Sequence, residues 1–177
     1  KDSYAGEPGF FITNNLEIGT NPCAEVALNG NQFCNLCTIN GASIIDQDDA
    51  NNRAYCAALI ATVQALHTDF HYLRPIWKRN TEREALIGIG MTGIASNEIF
   101  KYNIKAAAKI VKEENERVAN IIGINKAARC NTIKPSGTTS IVLGTSSGIH
   151  AWFNDFYLRR MRVSKNEAIY KKKKKEL

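Results

Sequence analysis

Asn21, Cys23 and Glu25 fall on alternate residues of Asn21-Pro22-Cys23-Ala24-Glu25, and a second thiol follows eleven residues after Cys23, in Cys34-Asn35-Leu36. Alternate residues of an extended strand point to the same side. The spacing therefore predicts an amide, a thiol and a carboxylate facing one pocket. Such a group has the parts for redox or radical chemistry coupled to proton transfer. A lone Cys is commonly a small buried hydrophobe; the alternation and the second thiol set Cys23 apart.

A second group of chemistry-bearing residues is Pro135-Ser136-Gly137-Thr138-Thr139-Ser140, where hydroxyls surround one glycine just before the apolar Ile141-Val142-Leu143. Backbone N–H groups at such a turn or helix start can cradle a phosphate, and Ser or Thr hydroxyls add donors. The order of a Walker A loop is absent, and a plain Ser/Thr turn is the competing reading. Cys34-Asn35-Leu36-Cys37 is formally a C-x-x-C, compatible with half a zinc site or a thioredoxin-like pair. No second C-x-x-C follows, and the H-x-x-x-H of His67 and His71 lies thirty residues beyond Cys37, so no metal site is expected. His67 and His71 stand four apart on a possible helix without a neighbouring Glu and read as surface residues. Gly88, Gly90 and Gly93 have the G-x-G-x-x-G spacing, but a dinucleotide site needs a strand before it. The upstream Thr81–Leu86 reads as helix, so these glycines are assigned to close backbone packing inside a barrel.

The elements that must position these residues follow from local pattern. Gly6-Glu7-Pro8-Gly9 reads as a turn and Phe10-Phe11-Ile12 as a short strand entering the core. Asn14 to Thr20 is loop-like. Cys23–Leu28 and Phe33–Ile39 are strand candidates, joined by the tight-turn signal Asn29-Gly30-Asn31 into a hairpin-like loop that brings Cys23 near Cys34. Asp46 to Asp49 offers helix caps, and Ala54–Phe70 carries helical apolar spacing. Thr81-Glu82-Arg83-Glu84 resembles a capping box. Ile104–Ile122 reads as a helix ended by Gly123. Thr132-Ile133 starts another strand, and Gly144-Thr145-Ser146-Ser147-Gly148 is a small-residue turn. Helices alternating with short apolar strands suggest an α/β barrel-like or layered architecture.

Composition narrows the class. The chain has 177 residues, 44% of them hydrophobic, enough for one domain with a real core. The net charge is +6, but Lys171 to Lys175 supplies five of those charges, so the rest is nearly neutral. That run reads as a solvated tail, and no specific nucleic-acid partner is expected. Five unevenly spaced cysteines do not form a secreted disulfide framework. No apolar run approaches the roughly 18 residues that span a membrane. Lys1-Asp2-Ser3-Tyr4-Ala5-Gly6 has no apolar signal-peptide core, and Lys175-Glu176-Leu177 lacks the Asp of a retention signal. A cytoplasmic protein with reduced thiols and no membrane partner is the expectation.

Taken in order, these segments resemble the ribonucleotide reductase large subunit. Asn21-Pro22-Cys23-x-Glu25 with Cys34-Asn35-Leu36 resembles that family's active-site finger loop. Gly6-Glu7-Pro8-Gly9, Ile87-Gly88-Ile89-Gly90-Met91-Thr92-Gly93, Thr132 to Ser140, Gly144 to His150, and Arg159-Arg160-Met161-Arg162-Val163 resemble its other segments in its order. The resemblance implies an α/β fold forming part of a ten-stranded α/β barrel, incomplete in this chain. Residues 1–170 would be a partial catalytic barrel domain and residues 171–177 a lysine-rich tail.

The resemblance also implies roles. Cys23 would become a thiyl radical and abstract the ribose 3′ hydrogen. Glu25 would be the general base at the 3′ hydroxyl, Asn21 a ribose anchor, and Cys34 one of two cysteines that reduce the 2′ position. Pro135, Ser136, Gly137, Thr138, Thr139 and Ser140 would bind the phosphates of a ribonucleoside di- or triphosphate. The Cys23–Cys34 spacing and the Asn-Pro-Cys and Lys-Pro-Ser-Gly-Thr forms are similar to the adenosylcobalamin-dependent class; the alternative is a radical supplied by a diiron small subunit. A thioredoxin- or glutaredoxin-type reductant would regenerate the thiols.

Several features depart from the family pattern. Family large subunits are several times longer; the partner of Cys34 and the allosteric region lie upstream, and the re-reducing cysteine pair lies downstream. Cys37 occupies a position where the family usually has a small non-thiol residue. The expectation is a fragment, split-gene product or truncated reading frame that acts only with complementing segments. Two alternatives stay open: a non-catalytic nucleotide-binding remnant, and a thiol oxidoreductase using Cys34 and Cys37.

Overall fold

The computed structural model describes residues 10–95, 101–158 and 164–176. The turn expected at Gly6-Glu7-Pro8-Gly9 and the segment Arg159 to Val163 lie outside the described residues. The elements are β1 (Ile18–Thr20), β2 (Ala27–Asn29), β3 (Asn35–Asn40), a 3-10 turn (Gly41–Ser43), α1 (Gln47–Ala65), α2 (Pro75–Glu84), β4 (Ile87–Thr92), α3 (Ile104–Ile122), α4 (Gly137–Leu143) and α5 (Ala168–Glu176).

The core is a short parallel sheet covered by two helices. β3 pairs with β4 in parallel from Asn35↔Ile87 to Asn40↔Thr92. A third parallel segment lies on the far side of β4: Ile89 bridges Asn131, with Ile89 N–H donating to the Cys130 carbonyl at 2.8 Å and Thr132 N–H to the Ile89 carbonyl at 3.0 Å. Parallel neighbours need long crossovers, and α1 and α3 lie within the two that occur here. α1 presents Ala50, Ala54, Ala57, Ala58, Ala61 and Ala65 to the core, so α3 packs closely along it through Ala107, Val111 and Ala119. Ile39, Ile87 and Ile89 fill the space between helices and sheet.

Local signals explain the ends of these helices. The Asp46 side chain accepts the Asp49 N–H at 2.7 Å, capping α1. Asn103 caps α3 by accepting the Ala106 N–H at 3.0 Å, and Gly123 ends it in the left-handed conformation at φ 76°. α3 has the span read from the sequence.

Several expectations are corrected. Phe10 and Ile12 form no strand and are more than nine-tenths exposed. Part of the expected loop before Thr20 is β1. The helix predicted over 54–70 is α1, which begins earlier and stops at Ala65. His67 and His71 therefore share no helix. Thr81–Glu84 is the end of α2 rather than the start of a helix: Pro75 is its first residue and Ala85, at φ 43°, its left-handed cap. The lysine run lies in α5, with Lys171 and Lys172 exposed.

Candidate active site

The Asn-Pro-Cys-x-Glu stretch is the turn of a β-hairpin, not a strand. β1 pairs antiparallel with β2, with Thr20 opposite Ala27, and residues 21–26 join them. The expected hairpin across Asn29-Gly30-Asn31 does not form, because β3 turns away to pair with β4. Asn21 closes the turn: its N–H donates to the Val26 carbonyl at 3.2 Å, and its Oδ1 accepts the Val26 N–H at 3.0 Å. Ala24 takes a left-handed φ of 61°, which reverses the chain. The alternate-face geometry is thereby overturned. Cys23 is exposed at the turn, while the Glu25 side chain is only 1% exposed.

Glu25 is fixed from two sides. Its carbonyl accepts the Thr132 hydroxyl at 2.9 Å, and its Oε1 accepts Lys134 Nζ at 2.8 Å. Its Oε2 is buried with no hydrogen-bond partner. Burial alone would push this carboxyl up, but Lys134, its own backbone N–H and the Asn21 side chain outweigh that and hold it below the usual carboxylate range. Glu25 lines a cleft of about 630 Å³ whose polar rim includes Asn131 and Thr132 and whose wall is apolar, with Met91, Ile104 and Val111.

Cys34 lies on the face of the sheet shared by Leu36 and Thr132. A Cβ built on Gly88 would stand 3.5 Å from Cys34 Sγ, 3.2 Å from Thr132 Cγ2 and 2.5 Å from Leu36 Cδ2. Gly88 thus serves close packing, against side chains rather than backbone, while Gly90 meets only ordinary contacts. Burial pushes the Cys34 thiol up to about 11, and the Glu25 carboxylate adds to this, while Arg129 and Lys134 act the other way. Cys37 faces the opposite side and packs against the helix-covered core. Cys34 and Cys37 are therefore separated by the sheet and cannot act as a pair. Among the described residues, no group of three or more His, Cys, Asp or Glu gathers as a metal site.

The hydroxyl-rich segment begins at Lys134 itself. Ser136, buried and at φ 52°, precedes α4, and its Oγ has no hydrogen-bond partner. The first intrahelical bond runs from Ser140 N–H to the Ser136 carbonyl at 2.9 Å, so the preceding N–H groups of Gly137, Thr138 and Thr139 have no helical partner. Thr138 is exposed and Thr139 half-buried, whereas the Ser140 hydroxyl donates back to the Gly137 carbonyl at 3.0 Å. The small-residue turn clamps this segment: Gly148 N–H donates to the Pro135 carbonyl at 2.7 Å, and Gly93 N–H to the Ser146 carbonyl at 3.0 Å.

Glu25, the middle of β4 and residues 131–133 therefore line one cleft, with Lys134 held against Glu25, whereas Cys23, Cys34 and the turn before α4 are not among its lining residues. Sequence reasoning named Glu25 and Cys34 but gave Lys134 and Thr132 no role there. Lys134 is 109 positions from Glu25, and no local pattern signals that pairing.

Known proteins carry the same stretch. The chain is 29% identical over 192 residues to a protein of Dictyostelium discoideum named "Probable adenosylcobalamin-dependent ribonucleoside-triphosphate reductase", covering 94% of this chain and 24% of the relative. It is 24% identical over 193 residues to the adenosylcobalamin-dependent ribonucleoside-triphosphate reductase of Euglena gracilis, covering 93% of this chain and 25% of that protein. The chain is homologous to the ribonucleotide reductases of this class. It spans about a quarter of the length of the curated relatives it matches. The crystal structure of a B-12 dependent (class II) ribonucleotide reductase shares its fold over 76% of this chain and 23% of that one, with a TM-score of 0.61 at 20% identity. No family model matches the chain. The described residues contain no helix long and apolar enough to cross a membrane.

Proposed function

We propose that this chain supplies the finger turn and the phosphate-binding turn of a reductase catalytic barrel. Together with the remaining segments of such a subunit, it reduces ribonucleoside triphosphates to deoxyribonucleotides. The observation that carries this reading is the Glu25 carboxylate: one oxygen is held by Lys134 at 2.8 Å, and the other is buried, unpartnered and part of a cleft-lining residue. A carboxylate kept ionised with one free lone-pair face is suited to accept a proton from a bound hydroxyl. The cleft wall is apolar, which favours exclusion of water from a reactive intermediate.

In this reading Cys23 carries the radical and abstracts the ribose 3′ hydrogen, and Glu25 takes the proton of the 3′ hydroxyl. Asn21 uses its Oδ1 to hold the turn, and its Nδ2, on the side of the Glu25 carboxylate, is the group that would meet the ribose. Cys34 delivers reducing equivalents and forms a disulfide with a thiol from another segment, to be reduced by a thioredoxin- or glutaredoxin-type protein. Its high affinity for its proton suits a thiol that acts first as a hydrogen donor. Pro135 to Ser140 hold the phosphates through the N–H groups ahead of α4 and the exposed Thr138 hydroxyl. The three parallel segments with helices on one face are consistent with an arc of a ten-stranded barrel formed by residues 1–170.

The relatives' names also point to adenosylcobalamin, a cofactor that supplies a radical by homolysis of its cobalt–carbon bond. Cys23 is the residue that would meet it, and its exposure at the turn fits an approach from outside the sheet. This chain's part would be to present the thiol. Complementation tests the proposal. The chain is mixed with the rest of a reductase catalytic subunit and deoxyribonucleotide formation is measured. Turnover is expected with the wild-type chain and not with Cys23→Ser; equal turnover by both would sink the mechanism.

A further inference from the structure

We propose that Lys134 is the positioning residue for Glu25, fixing its carboxylate in the ionised form so that Oε2 alone is offered to the substrate. The inference rests on the base assignment above and extends it to a residue with no assigned role.

The geometry carries it. Lys134 Nζ lies 2.8 Å from Glu25 Oε1; the lysine side chain is 21% exposed and the glutamate 1%. A compact ammonium on one oxygen leaves the other oxygen as the remaining acceptor, and that oxygen is buried without a partner. The groups facing Glu25 come from three places: Asn21 in its own turn, Cys34 ahead of β3, and Lys134 after the third parallel segment. Among these Lys134 is the cation. Its backbone is locked: its carbonyl lies where any side chain on Gly148 would fall, and the next residue, Pro135, accepts the Gly148 N–H at 2.7 Å. Lys134 also adjoins Pro135 and Ser136, so the residues proposed to hold phosphate and the group that orients the base share one rigid segment. The direction of the Glu25 shift agrees, with the Lys134 hydrogen bond the largest influence that lowers it.

The test titrates the Glu25 side-chain carboxyl by carbon-13 NMR in the full chain, for wild type, K134M, K134Q and K134R. The midpoint is expected to rise in K134M and K134Q and to return toward wild type in K134R. K134Q keeps a donor and a similar shape, so it decides the matter if K134M fails to fold. An unmoved midpoint in the folded variants overturns the proposal. In the complemented assembly the acidic limb of kcat/KM against pH should move in the same order. A limb that stays put while the carboxyl midpoint moves also overturns the positioning role. Wild-type turnover by E25Q would instead overturn the base assignment, an outcome distinguishable because the titration does not depend on it.

Discussion

Gly148 approaches Lys134 so closely that a Cβ built on the glycine would overlap the lysine carbonyl oxygen. The small-residue turn after α4 is thus the buttress of the segment that carries Lys134, Pro135 and Ser136. Gly148→Ala must displace that backbone or the Met91 carbonyl, which a Cβ would meet at 3.1 Å. A cost of about 2 kcal/mol is expected from such overpacking. Gly144→Ala differs in cause: the site is open but φ is +66°, and the left-handed penalty is about 1–2 kcal/mol. Urea unfolding midpoints compare the two. Only the Gly148 variant should also raise the Glu25 carboxyl midpoint, because only it displaces Lys134.

Gly88 and Gly90 occupy alternate positions of β4 yet should respond differently to alanine. At Gly88 a Cβ would stand 2.5 Å from Leu36 Cδ2 and 3.2 Å from Thr132 Cγ2, whereas at Gly90 the nearest atom is Lys134 Cβ at 3.5 Å. Gly88→Ala is expected to cost about 1–2 kcal/mol and to expose Cys34 as its neighbours shift, seen as faster alkylation of that thiol. Gly90→Ala meets only ordinary contact and should change neither stability by more than about 1 kcal/mol nor Cys34 alkylation.

These glycines show what was legible in the sequence. Their spacing signalled close backbone approach, and the structure places Leu36, Cys34 and Thr132 against Gly88. α3 was readable end to end because its composition favours helix and Gly123 is a local stop signal, and the structure adds Asn103 as the cap at its start. α2 was misread because Thr81 and Glu84 match a capping box, while the true start signal, Pro75 at the first helical position, lies earlier. The hairpin was misplaced for a different reason. Gly30-Asn31 is a genuine turn, but which strands pair is decided by distant partners, and β3 gains a parallel neighbour 52 positions away in register. In the site, residue types were informative and orientation was not. Ala24 at positive φ breaks the alternation that would have aligned Cys23 with Glu25.

Glu25 and Cys34 should report on one another. The Cys34 thiol is pushed up to about 11, first by burial and then by the Glu25 carboxylate. Glu25→Gln removes that negative charge, so the Cys34 midpoint should fall and its alkylation at pH 8 to 9 should quicken. Lys134→Gln removes a nearby positive charge and should slow it. Alkylation rate against pH, read by mass spectrometry of the Cys34 peptide, checks both signs. Equal profiles for E25Q and wild type would show that burial alone sets the thiol.

Stability of the scaffold beneath the site should hinge on Asn115. Its side chain is buried between α3 and α1, with Nδ2 donating to Thr62 Oγ1 at 2.9 Å and Oδ1 accepting the Ala127 N–H at 2.8 Å. Thr62 spends its own proton on the Ala58 carbonyl at 2.7 Å, so its oxygen is left to accept. Asn115→Ala strands the Ala127 donor and opens a gap, at an expected cost of about 2–4 kcal/mol. Asn115→Asp keeps the acceptor but replaces the donor with a buried negative charge beside Glu114, itself 4% exposed. Burial raises the folded pKa of such a carboxyl above its unfolded value. The penalty of N115D is therefore greatest at high pH and shrinks as pH falls through the folded value, where a protonated carboxyl can again donate to Thr62. Urea midpoints measured from pH 8 down to pH 5 should show N115D gaining on N115A; parallel curves would mean that folding does not raise the pKa of the introduced carboxyl.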